Sequence, residues 1–141
     1  MTAAWSPVPA VDRDSNEWWD ALARHELMLQ RCDDCAAWRW PARALCNRCG
    51  ATAWHWEAAS GSGTVASWIV NHHAFDAGRP SPYVVVLVRL AEQDDILVPG
   101  SFAGSHDGRE LTVGMPVTVG FDDVATPGGK RATLLRWQPS S

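Results

Sequence analysis

All four cysteines of the chain fall in two C-x-x-C pairs, Cys32-Asp33-Asp34-Cys35 and Cys46-Asn47-Arg48-Cys49, with ten residues between the pairs. Nothing else in the sequence restricts the fold as strongly. Two tight knuckles that each present two thiolates, joined by a short hairpin, predict a tetrahedral zinc site on Cys32, Cys35, Cys46 and Cys49. A thioredoxin-type redox role would need one such pair beside a βαβ pattern, and no such pattern is visible. Two disulfides would use the same four residues. Met1 to Pro9 shows no positive region followed by an apolar run, which predicts a cytoplasmic protein, and a reducing compartment favours metal over disulfide.

Four thiolates fill a tetrahedral zinc and leave no place for water or substrate, so the expected Zn2+, one per chain, is structural. Trp38 and Trp40, and Trp54 and Trp56, flank the cysteines as two W-x-W pairs. Side chains alternate along a strand, so each pair lies on one strand face. A ribbon this small has little core of its own, and metal plus indoles substitutes for one. Stacking of these indoles on nucleobases is the competing reading.

With 141 residues, 46% of them hydrophobic, the chain can bury a core for one domain or one domain plus a small module. Its formal charge of −4 and its single lysine, Lys130, argue against a general nucleic-acid binder, which carries a basic surface. No run of eighteen apolar residues predicts a membrane-crossing helix.

Residues 1–13, with Pro7 and Pro9, read as an extended arm carrying Trp5. A short helix is expected from Asp14, with Asp14 as N-cap and Glu17 returning the bond, and with Trp18, Trp19 and Leu22 at helical spacing. Leu27 to Arg31 leads into the first knuckle, and Pro41 ends the strand that leaves it. Gly50 supplies the positive φ that such knuckles use. His55 is expected as an exposed strand residue. Ser60-Gly61-Ser62-Gly63 reads as a flexible joint, which divides the chain into 1–26 (arm and helix), 27–59 (zinc ribbon) and 60–141 (barrel). Five strands follow: 64–73, 83–90, 96–103, 117–121 and 131–137, with Pro99 and Gly100 marking a bulge or edge and at most one helical turn near 109–113. The expected fold is mainly β: a helix, a ribbon, and a five-stranded Greek-key barrel of the OB type.

In order and spacing, several segments resemble the domain of unknown function 35 family. They are Glu17-Trp18-Trp19-Asp20-Ala21-Leu22, Leu29-Gln30-Arg31-Cys32, Trp40-Pro41, Cys46-x-x-Cys49-Gly50, Ser60 to Val65, Pro82-Tyr83-Val84-Val85 and Val113-Gly114-Met115-Pro116-Val117. The resemblance covers roughly residues 15 to 137 and implies an N-terminal helix, a rubredoxin-like zinc ribbon and an OB fold. It also implies a non-catalytic subunit that assembles with a thiolase-like enzyme (a thiolase, a lipid-transfer-type retro-aldolase or an acyltransferase) and helps it hold an acyl-CoA thioester. The family often has glycine after its first knuckle, where this chain has Ala36.

Further candidates follow from residue type. Arg39, Arg43 and Arg48 are the densest basic cluster and are candidates for CoA phosphates, against a role in offsetting the Zn(Cys)4 charge. Trp18, Trp19 and Trp137 are candidate anchors for a partner protein. His72 and His73 point to opposite faces of one strand, so they cannot serve one site together. Asp94-Asp95 and Asp122-Asp123 are expected in solvated turns. No nucleophile with a base is recognisable. A zinc-ribbon and OB-fold nucleic-acid binder is the alternative by fold.

Overall fold

The computed structural model describes residues 12–73, 81–125, 129 and 131–140. Trp5, Lys130 and most of the loop after His73 lie outside them. The elements run α1 (Asn16–Ala23), β1 (Met28–Cys32), β2 (Trp38–Arg39), β3 (Trp54–Ala58), β4 (Ser62–Asn71), β5 (Tyr83–Leu90), β6 (Leu97–Phe102), β7 (Pro116–Ala125) and β8 (Arg131–Pro139).

The helix is short, as expected, but it starts later, at Asn16. Ser15, not Asp14, is the N-cap residue, and it makes no side-chain bond into the helix. Ser15 instead donates its N–H to Asp12 Oδ1 at 2.8 Å, and Asp12 N–H reaches Ser15 Oγ at 3.2 Å. The reciprocal pairing expected of Asp14 and Glu17 therefore sits in the turn just before the helix. At the other end His25 takes φ 61°. His25 N–H bonds Leu22 O and Glu26 N–H bonds Ala21 O, the Schellman pattern usually closed by glycine. The left-handed position aims the histidine at the barrel: Nε2 lies 3.1 Å from both Asp123 carboxylate oxygens, and the ring stacks on Phe121 at 5.1 Å.

The ribbon is a three-stranded antiparallel sheet in the order β2-β1-β3. The second half of the chain closes into a barrel in the order β4-β5-β6-β8-β7, with β6 and β8 parallel and β7 returning to β4. That is the five-stranded Greek-key closure expected of an OB fold. Period-2 alternation drives it: Val84, Val86, Val88 and Leu90 point inward along β5 and are buried. Fully burying each valine contributes about 1.5–3 kcal/mol.

Several expectations change once the barrel is closed. The Ser60–Gly63 stretch is tightly fitted rather than a flexible joint. A Cβ on Gly61 would lie 2.6 Å from Val119 Cγ1, and one on Gly63 would lie 2.6 Å from Arg89 O. Ser60 N–H is also held by Glu92 Oε2 at 2.7 Å. Gly100 is needed not for an edge but for room, since a Cβ there would sit 2.7 Å from Trp137 Cδ1. Trp137 is completely buried, so it fills the barrel instead of ending it as an exposed anchor. β7 continues through Asp122 and Asp123, which are strand residues and not a turn.

One apolar cluster runs through the molecule. It joins Trp18 and Leu22 of α1 and Leu29 of β1 to Val65, Val98 and Trp137 of the barrel. A polar seam runs beside it. The Gln93 carboxamide accepts from Trp38 N–H at 2.9 Å and donates to Trp38 O at 3.0 Å, pairing with the outer edge of β2 as another strand would. Arg48, in the second knuckle, meets Asp95 at 2.9 Å in the same barrel turn.

Candidate metal centre and its surroundings

The chain backbone builds each knuckle in the same way. Cys32 N–H bonds Ala37 O at 2.9 Å and Ala36 N–H bonds Cys32 O at 3.1 Å; Cys46 N–H bonds Ala51 O at 3.0 Å and Gly50 N–H bonds Cys46 O at 2.9 Å. Both turns close through a left-handed residue, Ala36 at φ 62° and Gly50 at φ 78°. Alanine therefore keeps the geometry for which the first knuckle would otherwise take glycine, at a cost of about 1–2 kcal/mol.

The knuckles face each other so that the four sulfurs all lie within 4.8 Å of one another. Cys32 Sγ is 3.5 Å from Cys49 Sγ, and Cys35 Sγ is 3.6 Å from Cys46 Sγ. A zinc–sulfur bond of about 2.3 Å gives a tetrahedron with edges of about 3.8 Å, close to these separations. Backbone N–H groups of Cys49 and Arg48 aim at Cys46 and lower its thiol to about 6, and that of Cys35 does the same in direction for Cys32. Thiolates are the form a metal takes. The donor set fits one structural zinc with no open position.

Around the centre, the indoles order the ribbon. Trp54 and Trp56 meet edge to face at 5.4 Å, as their shared strand face required. Arg31 lies 4.7 Å over Trp38. His55 is exposed, as expected, but is clasped by Asp33 at 2.5 Å and Glu57 at 3.0 Å, and Glu57 also takes Arg31 at 2.7 Å. Glu57 first, then Asp33, raises the His55 pKa.

The three arginines proposed as a phosphate cluster are not brought together as one. Arg39 is buried. Its Nε donates to Gln30 Oε1 at 2.6 Å, one Nη donates to Arg43 O at 2.9 Å, and its guanidinium lies 5.6 Å over Trp54. It cannot fork onto an outside phosphate without breaking the ribbon. Arg48 is paired with Asp95. Arg43 is exposed and contributes its main chain to the Gln30 network. Sequence reasoning missed Gln30 and Gln93 because their bonds run to partners distant in sequence.

Of the three tryptophans proposed as anchors, Trp137 is enclosed and Trp18 is buried at 8% exposure. Trp19 is partly exposed and meets Trp18 edge to face at 4.7 Å. Trp18, Trp19, Trp40, Val85, Pro99 and Leu134 line an apolar groove of about 330 Å³ between the helix and the barrel wall.

Of the histidines, His72 and His73 are exposed at the end of β4, where His72 O accepts from Ser81 Oγ. His25, Asp123 and Thr133 form a chain of contacts that has the wrong order for nucleophilic catalysis. Thr133 Oγ1 donates straight to Asp123 at 2.6 Å, so the histidine does not stand where it could take the hydroxyl proton.

Two family models match the chain in tandem: the ChsH2 rubredoxin-like zinc ribbon domain over residues 19–55 and the ChsH2 C-terminal OB-fold domain over residues 56–122. A solved structure described as "Ltp2-ChsH2(DUF35) aldolase" shares 32% identity with a TM-score of 0.83, covering 95% of this chain and 100% of that one. A DUF35 protein from Sulfolobus solfataricus, at 14% identity and TM-score 0.63 over 92% of this chain and 87% of that one, shares the fold. Among curated proteins, a probable enoyl-CoA hydratase alpha subunit of Thermomonospora curvata is 35% identical over 82% of this chain. The 3-oxo-4,17-pregnadiene-20-carboxyl-CoA hydratase alpha subunit of Mycobacterium tuberculosis is 31% identical over 93% of it. The chain spans only 35% and 39% of the length of these two relatives.

Proposed function

Because the chain belongs to the ChsH2 branch of the DUF35 family, we propose that it is an accessory subunit that docks on a thiolase-like enzyme and supports that enzyme's acyl-CoA chemistry without catalysing a step itself. The observation that carries this reading is the end-to-end match, at TM-score 0.83, to a chain solved as part of an aldolase whose description names two components. The hydratase names of the two longer relatives do not bear directly on this chain, which corresponds to about a third of their length.

The geometry agrees with a supporting role. The metal donor set is full. Among the described residues, the His25–Asp123–Thr133 array puts the carboxylate, not the histidine, against the hydroxyl. Of the three arginines, Arg43 is the one left to meet a CoA phosphate, since Arg39 is buried and Arg48 is paired. Thiolase-like enzymes are two-fold dimers, so the assembly proposed is two copies of this chain around one partner dimer.

Co-expression with a thiolase-like enzyme from the same source, followed by size-exclusion chromatography and activity assay, tests the proposal. One hetero-oligomeric peak is expected, with the partner losing solubility or activity when this chain is left out and this chain alone turning over no acyl-CoA. Two separate peaks, with the partner fully active alone, would overturn it.

A further inference from the structure

The wall of the barrel is unequal around its circumference. An antiparallel sheet with one wet face alternates apolar-in and polar-out. β7 and the C-terminal half of β8 follow the rule: Thr118 pairs with Gln138, and Gly120 with Arg136, on the outer side, while Leu134 further back on β8 lines the tryptophan groove. β4, β5 and β6 break it. Val65, Val84, Val86, Val88 and Val98 point inward and are buried, yet the outward positions hold Ile69, Val85, Leu87 and Pro99 beside Ser67 and Ser101. Register places Val85 between Ile69 and Ser101, and Leu87 between Ser67 and Pro99. Ile69 is 62% exposed. Val85 and Pro99 also form one side of the tryptophan groove, so the apolar surface continues from Ile69 across three strands to Trp19.

We propose that this β4–β5–β6 wall, together with the groove, is the surface on which the thiolase-like partner seats, with Ile69 and Trp19 at its two ends. The inference rests on the accessory-subunit reading and adds the face that the reading leaves open.

Extent and charge choose a protein occupant. β5 and β6 are the second and third barrel strands, the side on which OB folds commonly meet oligonucleotides and oligosaccharides. A strand that tracks phosphates needs clustered cations. The described wall offers Arg89 at one end, and its Nε is spent on Asp94 O at 2.9 Å. A small apolar ligand would fit the 330 Å³ groove, whose lining reaches Val85 but not its β4 register partner Ile69, and would leave Ile69 in water. Only an extended surface covers both. A neutral, apolar centre ringed by polar positions is what the core of a protein interface looks like, and aromatic side chains are the usual occupants of a groove of this kind.

The test uses the co-expressed complex and three variants of the full chain. Ile69→Asp lies on the exposed wall and should leave this chain's melting temperature and zinc content unchanged while weakening association with the partner at least tenfold. Trp19→Ala should weaken association in the same direction. Val113→Asp, at a residue 72% exposed in the turn before β7, should change nothing. Full-strength association of Ile69→Asp, or an equal loss in Val113→Asp, would overturn the assignment of this face while leaving the accessory role standing. Failure of the wild-type chain to associate at all would remove both. If the wild-type chain self-associates, and Ile69→Asp makes it monomeric without affecting partner binding, the wall belongs to a second copy and the inference falls.

Discussion

The ribbon and the barrel are both antiparallel β structure, yet they are held together by different forces. The ribbon's second strand has only two residues, and the ribbon's separate buried cluster consists of Cys32, Ala37 and Cys46. That cluster removes little apolar area from water, and the ribbon's buried Leu27 and Leu29 belong instead to the cluster it shares with the barrel. The barrel buries Val65, Val86, Val88, Val98, Val117 and Trp137 almost completely. One region is ordered by four sulfur–metal bonds, the other by close packing around a ring of valines and one indole. The two meet along a seam where a side chain, Gln93, completes a strand edge. Similar secondary structure therefore conceals different sensitivities, and these can be set against each other.

The largest effect should come from the metal. Zinc binding to small ribbons supplies apparent free energy on the order of 10 kcal/mol. Cys46→Ser, or chelation of the wild type, should abolish amide protection over residues 28–58, while protection along β4 and β5 survives. The converse variant, Val86→Ala, leaves a cavity in the barrel and should cost about 2–3 kcal/mol with zinc content unchanged. Hydrogen exchange with elemental analysis reads both. Simultaneous loss of ribbon and barrel protection on chelation would show that the shared apolar cluster makes them one cooperative unit, and the comparison would break.

The seam comes next. Gln93→Ala removes both bonds to Trp38 and should cost about 1–2 kcal/mol. Gln93→Glu keeps the acceptor for Trp38 N–H, loses the donor to Trp38 O, and places a second carboxylate beside Asp95, where the amide now donates at 2.6 Å. The glutamate variant should thus be no better than alanine in urea unfolding. Wild-type stability in Gln93→Glu would mean that shape alone holds the seam.

Gln93 also marks the limit of what a sequence shows. The zinc set was legible because ligand identity and spacing are both local, and the barrel strands because apolar alternation is local too. What stayed hidden depends on residues far away in the chain. Glu92 to Asp95 reads as a solvated acidic turn until β2 comes beside it. Arg39 reads as one of three surface cations until Gln30 and Trp54 enclose it. Trp137 reads as a strand end until Gly100 makes room beneath it. The register shift between Val65 and Ser67 decides that Ile69 faces out and Val70 in, and no composition rule signals it. The family resemblance recovered the architecture because order and spacing survive where such single contacts cannot be read.

A smaller effect is expected within the knuckles themselves. Ala36 and Gly50 occupy equivalent left-handed positions with different residues. Ala36→Gly relieves a steric cost of about 1–2 kcal/mol but returns freedom to the unfolded chain, so a net stabilisation of about 0.5 kcal/mol is expected. Gly50→Ala should be destabilising. A Cβ there would meet nothing within 4 Å, so any loss is purely a backbone effect. Thermal melts of the two zinc-loaded variants should shift in opposite directions. A destabilised Ala36→Gly would show that the two knuckles are not energetically alike.

The smallest effect concerns the surface of the ribbon, where charge rather than metal or packing adds to its hold. Glu57 and then Asp33 raise the His55 pKa above its ordinary 6.5, while His55 and then Arg31 lower that of Glu57 below 4.5. A raised histidine contributes stability that is fully present below the unfolded value of 6.5 and is lost as pH climbs through the folded value. A lowered glutamate contributes above 4.5 and fades as pH falls through its folded value. The group is therefore most stabilising between those limits and weakens on either side. All three side chains are more than a third exposed, which keeps the contribution small and sensitive to salt. On the alkaline side, where zinc stays bound, the wild-type melting temperature should decline more between pH 6 and pH 9 than that of His55→Gln, and the difference should shrink in high salt. Because β3 belongs to the ribbon, the effect should show in exchange of residues 54–58 and leave the barrel strands unmoved. Parallel pH profiles for the two proteins would mean that His55 is held by geometry alone and adds nothing to the ribbon that the metal does not already supply.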